Sequence, residues 1–195
     1  GLMKVVLFGG GLGTRLKECS EAMPKPMVEI GPRPIMWHLM KYYAHFGHNE
    51  FILCLGYRGD YIRDYFLKYN ECLSNDFTLS DGGRQIHLYH RDISDWKITF
   101  VDTGLNLNIG QRLVAIRKYL ADEPVFMANY TDGLCDLNLP QYIRTFESQH
   151  KIACFLSVKP SATFHTVASD ENGLVTQIDD VRNTDLQING GFFIL

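Results

Sequence analysis

Leu7-Phe8-Gly9-Gly10-Gly11-Leu12-Gly13-Thr14-Arg15-Leu16, followed by Pro24-Lys25-Pro26, decides how the rest of this chain is read. The residues from Met3 to Gly9 (MKVVLFG) are apolar and β-branched, and predict a short buried strand. Four glycines within five positions then let the backbone turn sharply and approach a ligand without interference from a Cβ. Successive N–H groups in such a turn form a nest for an anion. Arg15 adds a planar fork matched to phosphate oxygens. Lys25 sits between two prolines of fixed φ, so its ammonium is carried on stiff backbone. Together these features fit the triphosphate of a nucleotide, although the glycines alone are equally compatible with a tight turn. No Gly-Lys-Ser/Thr follows, which excludes a P-loop. Thr14 stands where a dinucleotide-binding fingerprint needs its third glycine.

The 195 residues, 46% hydrophobic and 21% charged, are those of one globular domain spanning 1–195. A net charge of -3 argues against a nucleic-acid or membrane-surface partner, since both select basic patches. Cys19, Cys54, Cys72, Cys135 and Cys154 are scattered without a C-x-x-C, which reads as reduced thiols in a cytoplasmic protein. The histidines form no H-E-x-x-H, so no structural zinc is expected. No apolar run approaches the roughly 20 residues of a membrane span, and no signal-peptide pattern is present. Gly1-Leu2 reads as an addition ahead of a natural Met3. The chain stops inside an expected strand, so more of the natural protein is expected beyond Leu195.

Hydrophobic periodicity predicts a helix over Pro34–Phe46, a strand over Glu50–Leu55 and an amphipathic helix over Asp60–Tyr69. Three short strands then surround Asp81-Gly82-Gly83, at Phe77–Leu79, Gln85–His90 and Lys97–Val101. Helices at Gly110–Leu120 and Leu139–His150 alternate with strands at Val125–Asn129, Ile152–Val158, Leu174–Ile178 and Gly191–Leu195. Such alternation predicts an α/β fold, with a mostly parallel sheet and helices on both faces. The tyrosines and phenylalanine at 42, 43, 61, 65 and 66 are assigned to the core, and His87 and His90 to the surface.

Two further stretches carry chemistry. Asn129-Tyr130-Thr131-Asp132-Gly133 follows a strand, and ligands of open α/β sheets collect at the carboxyl ends of strands. Asp132 there can hold Mg²⁺ beside a triphosphate, or simply form an Asp-Gly turn. Asp102-Thr103-Gly104, then Gly110-Gln111-Arg112 opening a helix, offers an anion or base contact through Arg112; its bland alternative is a loop and a solvated first-turn arginine.

The Gly10–Leu16 stretch together with Pro24-Lys25-Pro26 resembles the sugar nucleotidyltransferases (nucleotide-diphosphosugar pyrophosphorylases), a Rossmann-like fold with a mixed, mostly parallel sheet. Pro24 to Gly31, Trp37-His38, Gly56-Tyr57-Arg58-Gly59, the Trp96–Gly104 run and Ile188 to Phe193 are most similar to its glucose-1-phosphate cytidylyltransferase branch. The resemblance implies a triphosphate wrapped by Gly10, Gly11, Gly13 and Thr14, with Arg112, Gly133 and Asn189 also at the nucleotide. It implies that Arg15 meets the departing pyrophosphate, Lys25 the reacting phosphates, and Asp132 the Mg²⁺, with a second metal-binding Asp beyond Leu195. The reaction implied is CMP transfer from CTP to a sugar 1-phosphate, glucose 1-phosphate or a related acceptor, with a homo-oligomer left open.

Three positions depart from the pattern. Asp180 stands where a lysine should meet the sugar phosphate, with Arg182 two residues on. Ala162 to Thr166 replaces an arginine- and glycine-containing loop on the sugar side. Thr131 replaces a glycine where the backbone should pass close to the ligand. These departures keep two alternatives in play: a non-catalytic nucleotide-binding or regulatory homologue, and a transferase for a different phosphorylated acceptor.

Overall fold

The computed structural model describes residues 2–9, 23–105, 107–120, 123–131, 138–149, 154–158, 165–169, 175–180 and 188–194. Strand β1 (Val5–Gly9) is followed by a 3₁₀ turn, Lys25–Met27, and a two-residue hairpin of β2 (Glu29–Ile30) and β3 (Arg33–Pro34). Helix α1 (Ile35–His45), β4 (Glu50–Leu55) and α2 (Gly59–Leu67) come next. A 3₁₀ turn (Glu71–Leu73), the β5 (Phe77–Ser80) and β6 (Gln85–Leu88) hairpin, and β7 (Lys97–Asp102) complete the first half. The second half comprises α3 (Ile109–Ile116), a 3₁₀ turn Arg117–Tyr119, β8 (Met127–Tyr130), α4 (Leu139–Gln149), β9 (Cys154–Val158), β10 (His165–Ser169), β11 (Val175–Asp180) and β12 (Ile188–Ile194).

The central sheet has the order β7-β4-β1-β8-β12-β9. Strands β7, β4, β1 and β8 are parallel, and β12 runs antiparallel between β8 and β9. The sheet is therefore mixed and mostly parallel, as the alternation required. Val5 and Leu7 of β1 face a core built with Met36, Leu39, Met40 and Tyr43 of α1, Ile62 of α2, and Leu139, Ile143 and Phe146 of α4. Val6 and Phe8 face the other side, against Ile116 at the end of α3 and Leu120 just after it. A strand buried on both faces needs its continuous apolar run, and that is why VVLF reads as it does.

Several boundaries differ from expectation for physical reasons. Pro34 does not open α1 from inside; it is extended (φ -70°, ψ 157°) and pairs with Glu29 while capping the helix. A capping box between Asn108 and Gln111 starts α3 at Ile109, and the expected single helix closes at Ile116 into a 3₁₀ turn. Strand β8 occupies Met127–Tyr130 rather than Val125–Asn129. Strand β10 was not expected. It pairs with β11 from His165↔Asp180 onward, and that pairing extends β11 through Asp179 and Asp180. Asp179 and Asp180 therefore belong to a ladder.

The β5–β6 hairpin sets Phe77 opposite Leu88 and Leu79 opposite Ile86, and Phe77, Leu79 and Ile86 are exposed. Cys54 and Cys72 are both free thiols. Among the described residues no helix is long and apolar enough to cross a membrane.

Candidate active site at the carboxyl ends of the parallel strands

Pairs Gly9↔Leu55, Leu55↔Asp102 and Phe8↔Tyr130 bring the carboxyl ends of β1, β4, β7 and β8 level along one edge of the sheet. Three segments that sequence reasoning singled out leave from that edge. Gly10 to Arg15 follows β1, Thr103 to Arg112 follows β7, and Thr131 to Gly133 follows β8. Gly10, Gly11, Gly13, Thr14, Arg15, Asp132 and Gly133 themselves lie outside the described residues.

Gly9, the first of the four glycines, has a packing reason of its own. A Cβ there would stand 3.1 Å from Ile62 Cδ1 and 3.3 Å from Leu55 Cδ2, so the glycine lets α2 lie close against the strand end without those side chains giving way. Thr131 is 1% exposed, and its hydroxyl donates to the Phe8 carbonyl at 3.1 Å. The bulk expected in the ligand's path is thus turned into the protein, where it ties the end of β8 to β1 just before the glycine loop. Asn129, also buried, donates to the Tyr43 hydroxyl at 3.2 Å and fixes the same strand from the α1 side.

Beyond β7, both the N–H and the hydroxyl of Thr103 reach the Leu55 carbonyl, at 2.9 and 3.1 Å. Gly104 then takes a positive φ of 81°, and its N–H donates to Asp102 Oδ1 at 3.0 Å. Arg63 stands 3.6 Å from the other oxygen of Asp102. Arg112 is only 4% exposed, not a solvated first-turn residue. Its Nε donates to the Leu107 carbonyl at 3.2 Å, and its charge is felt at Cys54 on β4. Burial nevertheless dominates at Cys54 and pushes the thiol up to about 12, so it is an inert group under the site.

Lys25 is exposed at the start of its 3₁₀ turn, while Pro26 and Met27 beside it are buried. Its carbonyl accepts from Val28 N at 3.1 Å. Asn189 lies in β12, across from Ser157 of β9. Because β12 is antiparallel to β8, with Phe193↔Ala128 and Ile194↔Met127, the start of β12 points toward the carboxyl end of β8. Asn189 is thereby directed to the same edge as the other candidates. Position 180 lies on the separate β10–β11 ladder, with His165 as its cross-strand neighbour.

Sequence reasoning missed Arg33, which is 1% exposed and bonded to Ser74, Tyr65 and Asn70. The aromatic spacing at Tyr65 was its only trace. It also missed the strained left-handed Arg58 (φ 54°), whose carbonyl accepts from Tyr61 N in the first turn of α2.

The family model for nucleotidyl transferases matches residues 4–180. The chain belongs to the sugar nucleotidyltransferase family. It is 37% identical to the probable glucose-1-phosphate cytidylyltransferase of Bacillus subtilis (strain 168), over 99% of this chain and 74% of that protein. It is 36% identical to the glucose-1-phosphate cytidylyltransferase of Salmonella typhi, over 99% of this chain and 75% of the relative. Among solved structures, HddC from Yersinia pseudotuberculosis complexed with GMP-PN superposes with a TM-score of 0.68 at 27% identity, covering 100% of this chain and 76% of that one. The nucleotidyltransferase fold therefore extends over the whole described sheet.

Proposed function

We propose that this nucleotidyltransferase moves CMP from CTP to a sugar 1-phosphate and releases pyrophosphate, a step of sugar-nucleotide biosynthesis. The observation that carries the proposal is the level edge formed by β1, β4, β7 and β8, from which the glycine loop, the Arg112 helix and the Asp132 segment all depart. The two cytidylyltransferase relatives support CTP as the donor.

In this reading a phosphate oxygen of the acceptor attacks the α-phosphorus in line, and the bond to the β-phosphate oxygen breaks. Such transfer needs positioning and charge neutralisation more than a protein nucleophile. The backbone of Gly10–Thr14 cradles the triphosphate, and Arg15 takes the charge that grows on the leaving pyrophosphate. Lys25 neutralises the α-phosphate and the incoming phosphate. Arg112, buried and braced by the Leu107 carbonyl, supports the nucleotide.

Asp132 is the residue that would hold Mg²⁺. A carboxylate one residue past Thr131, whose hydroxyl is pinned to Phe8, has the oxygen chemistry that the ion takes together with substrate phosphates. Bound there, the ion would offset phosphate charge.

The test is pyrophosphate release from each of four nucleoside triphosphates against a panel of sugar 1-phosphates, with calorimetry of nucleotide binding alongside. CTP is expected to give the highest rate. Gly11→Val is expected to abolish CTP binding, because a Cβ would occupy the phosphate path. Unchanged CTP affinity in that variant would remove the loop from the site.

A further inference from the structure

The arm that carries Lys25 lies mostly in solvent. Val28 and Ile30 are each 48% exposed, and Glu29, Gly31 and Pro32 are exposed as well. A catalytic ammonium on such an arm needs something to hold the arm still. Met27 enters the core, the Ile35 N–H bonds Val28 O at 2.9 Å, and His38 Nε2 meets Ile30 O at 2.8 Å. The fourth tether is of a different kind. Arg33, paired across the β2–β3 hairpin with exposed Ile30, is 1% exposed.

Its guanidinium is engaged on every nitrogen. Nε and Nη2 donate to Ser74 Oγ at 3.0 and 2.7 Å, Nη1 donates to the Tyr65 hydroxyl at 2.9 Å, and Nη2 donates to the Asn70 carbonyl at 2.7 Å. The cation lies 4.2 Å from the centre of the Tyr69 ring and 5.6 Å from that of Trp37. No carboxylate of the described residues lies within 4.0 Å of it. Its charge is instead relayed through Ser74, whose hydroxyl donates to Asp92 at 2.7 Å. Asp92 is held in turn by Asn75 at 2.9 Å and Lys41 at 3.5 Å. Burying a guanidinium without a direct counter-ion is unfavourable unless its donors are met and its plane is stacked. Here both conditions are satisfied, and by groups on a different part of the chain. The partners at 65, 69, 70 and 74 span the end of α2 and the 3₁₀ turn after it.

We propose that Arg33 is a positioning residue for Lys25. The clamp formed by Trp37, Tyr65, Tyr69, Asn70 and Ser74 fixes the orientation of the arm, and so the place where the Lys25 ammonium meets phosphate. The inference rests on the role given to Lys25 above. A planar group held by four hydrogen bonds and two rings sets an angle, which an apolar side chain of equal volume does not. Displacement of a positioned group by about 1 Å is enough to lower turnover by about 10²-fold.

The test uses the full chain with Arg33→Lys, Arg33→Met, Ser74→Ala and Lys25→Ala. Three quantities are read on each: kcat and KM for the nucleotide, the thermal midpoint, and acylation of Lys25 by an amine-reactive ester. Acylation is quantified by mass spectrometry against Lys97 of the same molecule. Folded Arg33→Lys and Arg33→Met are expected to lose about tenfold or more in kcat with KM little changed. Their Lys25-to-Lys97 labelling ratio is expected to shift, and the thermal midpoint reports that each variant is folded. Should neither Arg33 variant fold, Ser74→Ala removes one acceptor, leaves the guanidinium, and is expected to shift the same labelling ratio. Wild-type kcat and an unchanged labelling ratio in the folded variants would overturn the proposal. Wild-type kcat in Lys25→Ala would overturn the role of Lys25 instead, and the labelling ratio in the Arg33 variants would then decide the clamp by itself.

Discussion

Thr131 turns its hydroxyl into the protein and onto the Phe8 carbonyl, 3.1 Å away. A residue that reads as an obstruction is a brace, and the sequence could not show which way it faced. The stiff mount of Lys25 was legible, because prolines flank it on both sides. Arg33 was not, because it stands beside Gly31-Pro32 in a hairpin that looks like solvent-facing turn chemistry. Apart from Trp37, its clamp is assembled from residues more than thirty positions away, a distance that no local pattern reports. At this scale, Lys25→Ala is expected to lower kcat by about 10²-fold or more, the loss that follows removal of one preorganised charge. Steady-state pyrophosphate release checks it. Cys54, with its thiol pushed up to about 12 by burial, is expected to resist thiol reagents in the native protein. Partly exposed Cys72 is expected to react first, and peptide mapping after brief alkylation separates the two.

Among the elements, β4 was legible to the residue and α1 to within one at each end, because long apolar runs and helical spacing dominate there. Strand β10 was not legible: His165-Thr166-Val167-Ala168-Ser169 is short and weakly apolar, and it is a strand because β11 pairs with it. That ladder sets His165 opposite Asp180 and Thr166 opposite Asp179, so the two stretches expected to face the sugar are neighbours. An unscreened carboxylate about 4 Å from a phosphate is unfavourable by about 1 to 4 kcal/mol. Activity on glucose 1-phosphate is therefore expected to be weak, and Asp180→Lys to raise kcat/KM for that acceptor. Efficient use of glucose 1-phosphate by the unmodified protein would show that another cation serves it. Helix α3 makes a simpler case. Asn108 Oδ1 accepts from Gln111 N at 2.8 Å, and Gln111 Oε1 accepts from Asn108 N at 3.0 Å. Asn108→Ala is expected to destabilise the fold by about 1 kcal/mol in urea titration.

The molecule as a whole is organised by its sheet. Strand ends that are level at Gly9, Leu55, Asp102 and Tyr130 gather segments more than a hundred residues apart in sequence onto one edge. The opposite end of β1 carries a pH-dependent tie. Met3 N–H donates to His48 Nδ1 at 3.0 Å, and burial holds the His48 pKa below 6.5. As pH falls through 6.5 the unfolded chain takes up a proton that the folded chain refuses, so stability is expected to drop below that pH and to level off above it. Thermal midpoints between about pH 5 and 7.5 check this, with His48→Gln expected to flatten the slope. Nucleotidyl transfer at the level edge is read out by ³¹P NMR of the products. The protein is incubated with CTP, Mg²⁺ and a mixture of sugar 1-phosphates. A pyrophosphate signal is expected to rise in step with the two coupled resonances of a nucleotide diphosphosugar, while CTP and one sugar 1-phosphate fall together. CTP left intact, or broken down to CDP and inorganic phosphate with every sugar 1-phosphate untouched, would contradict it.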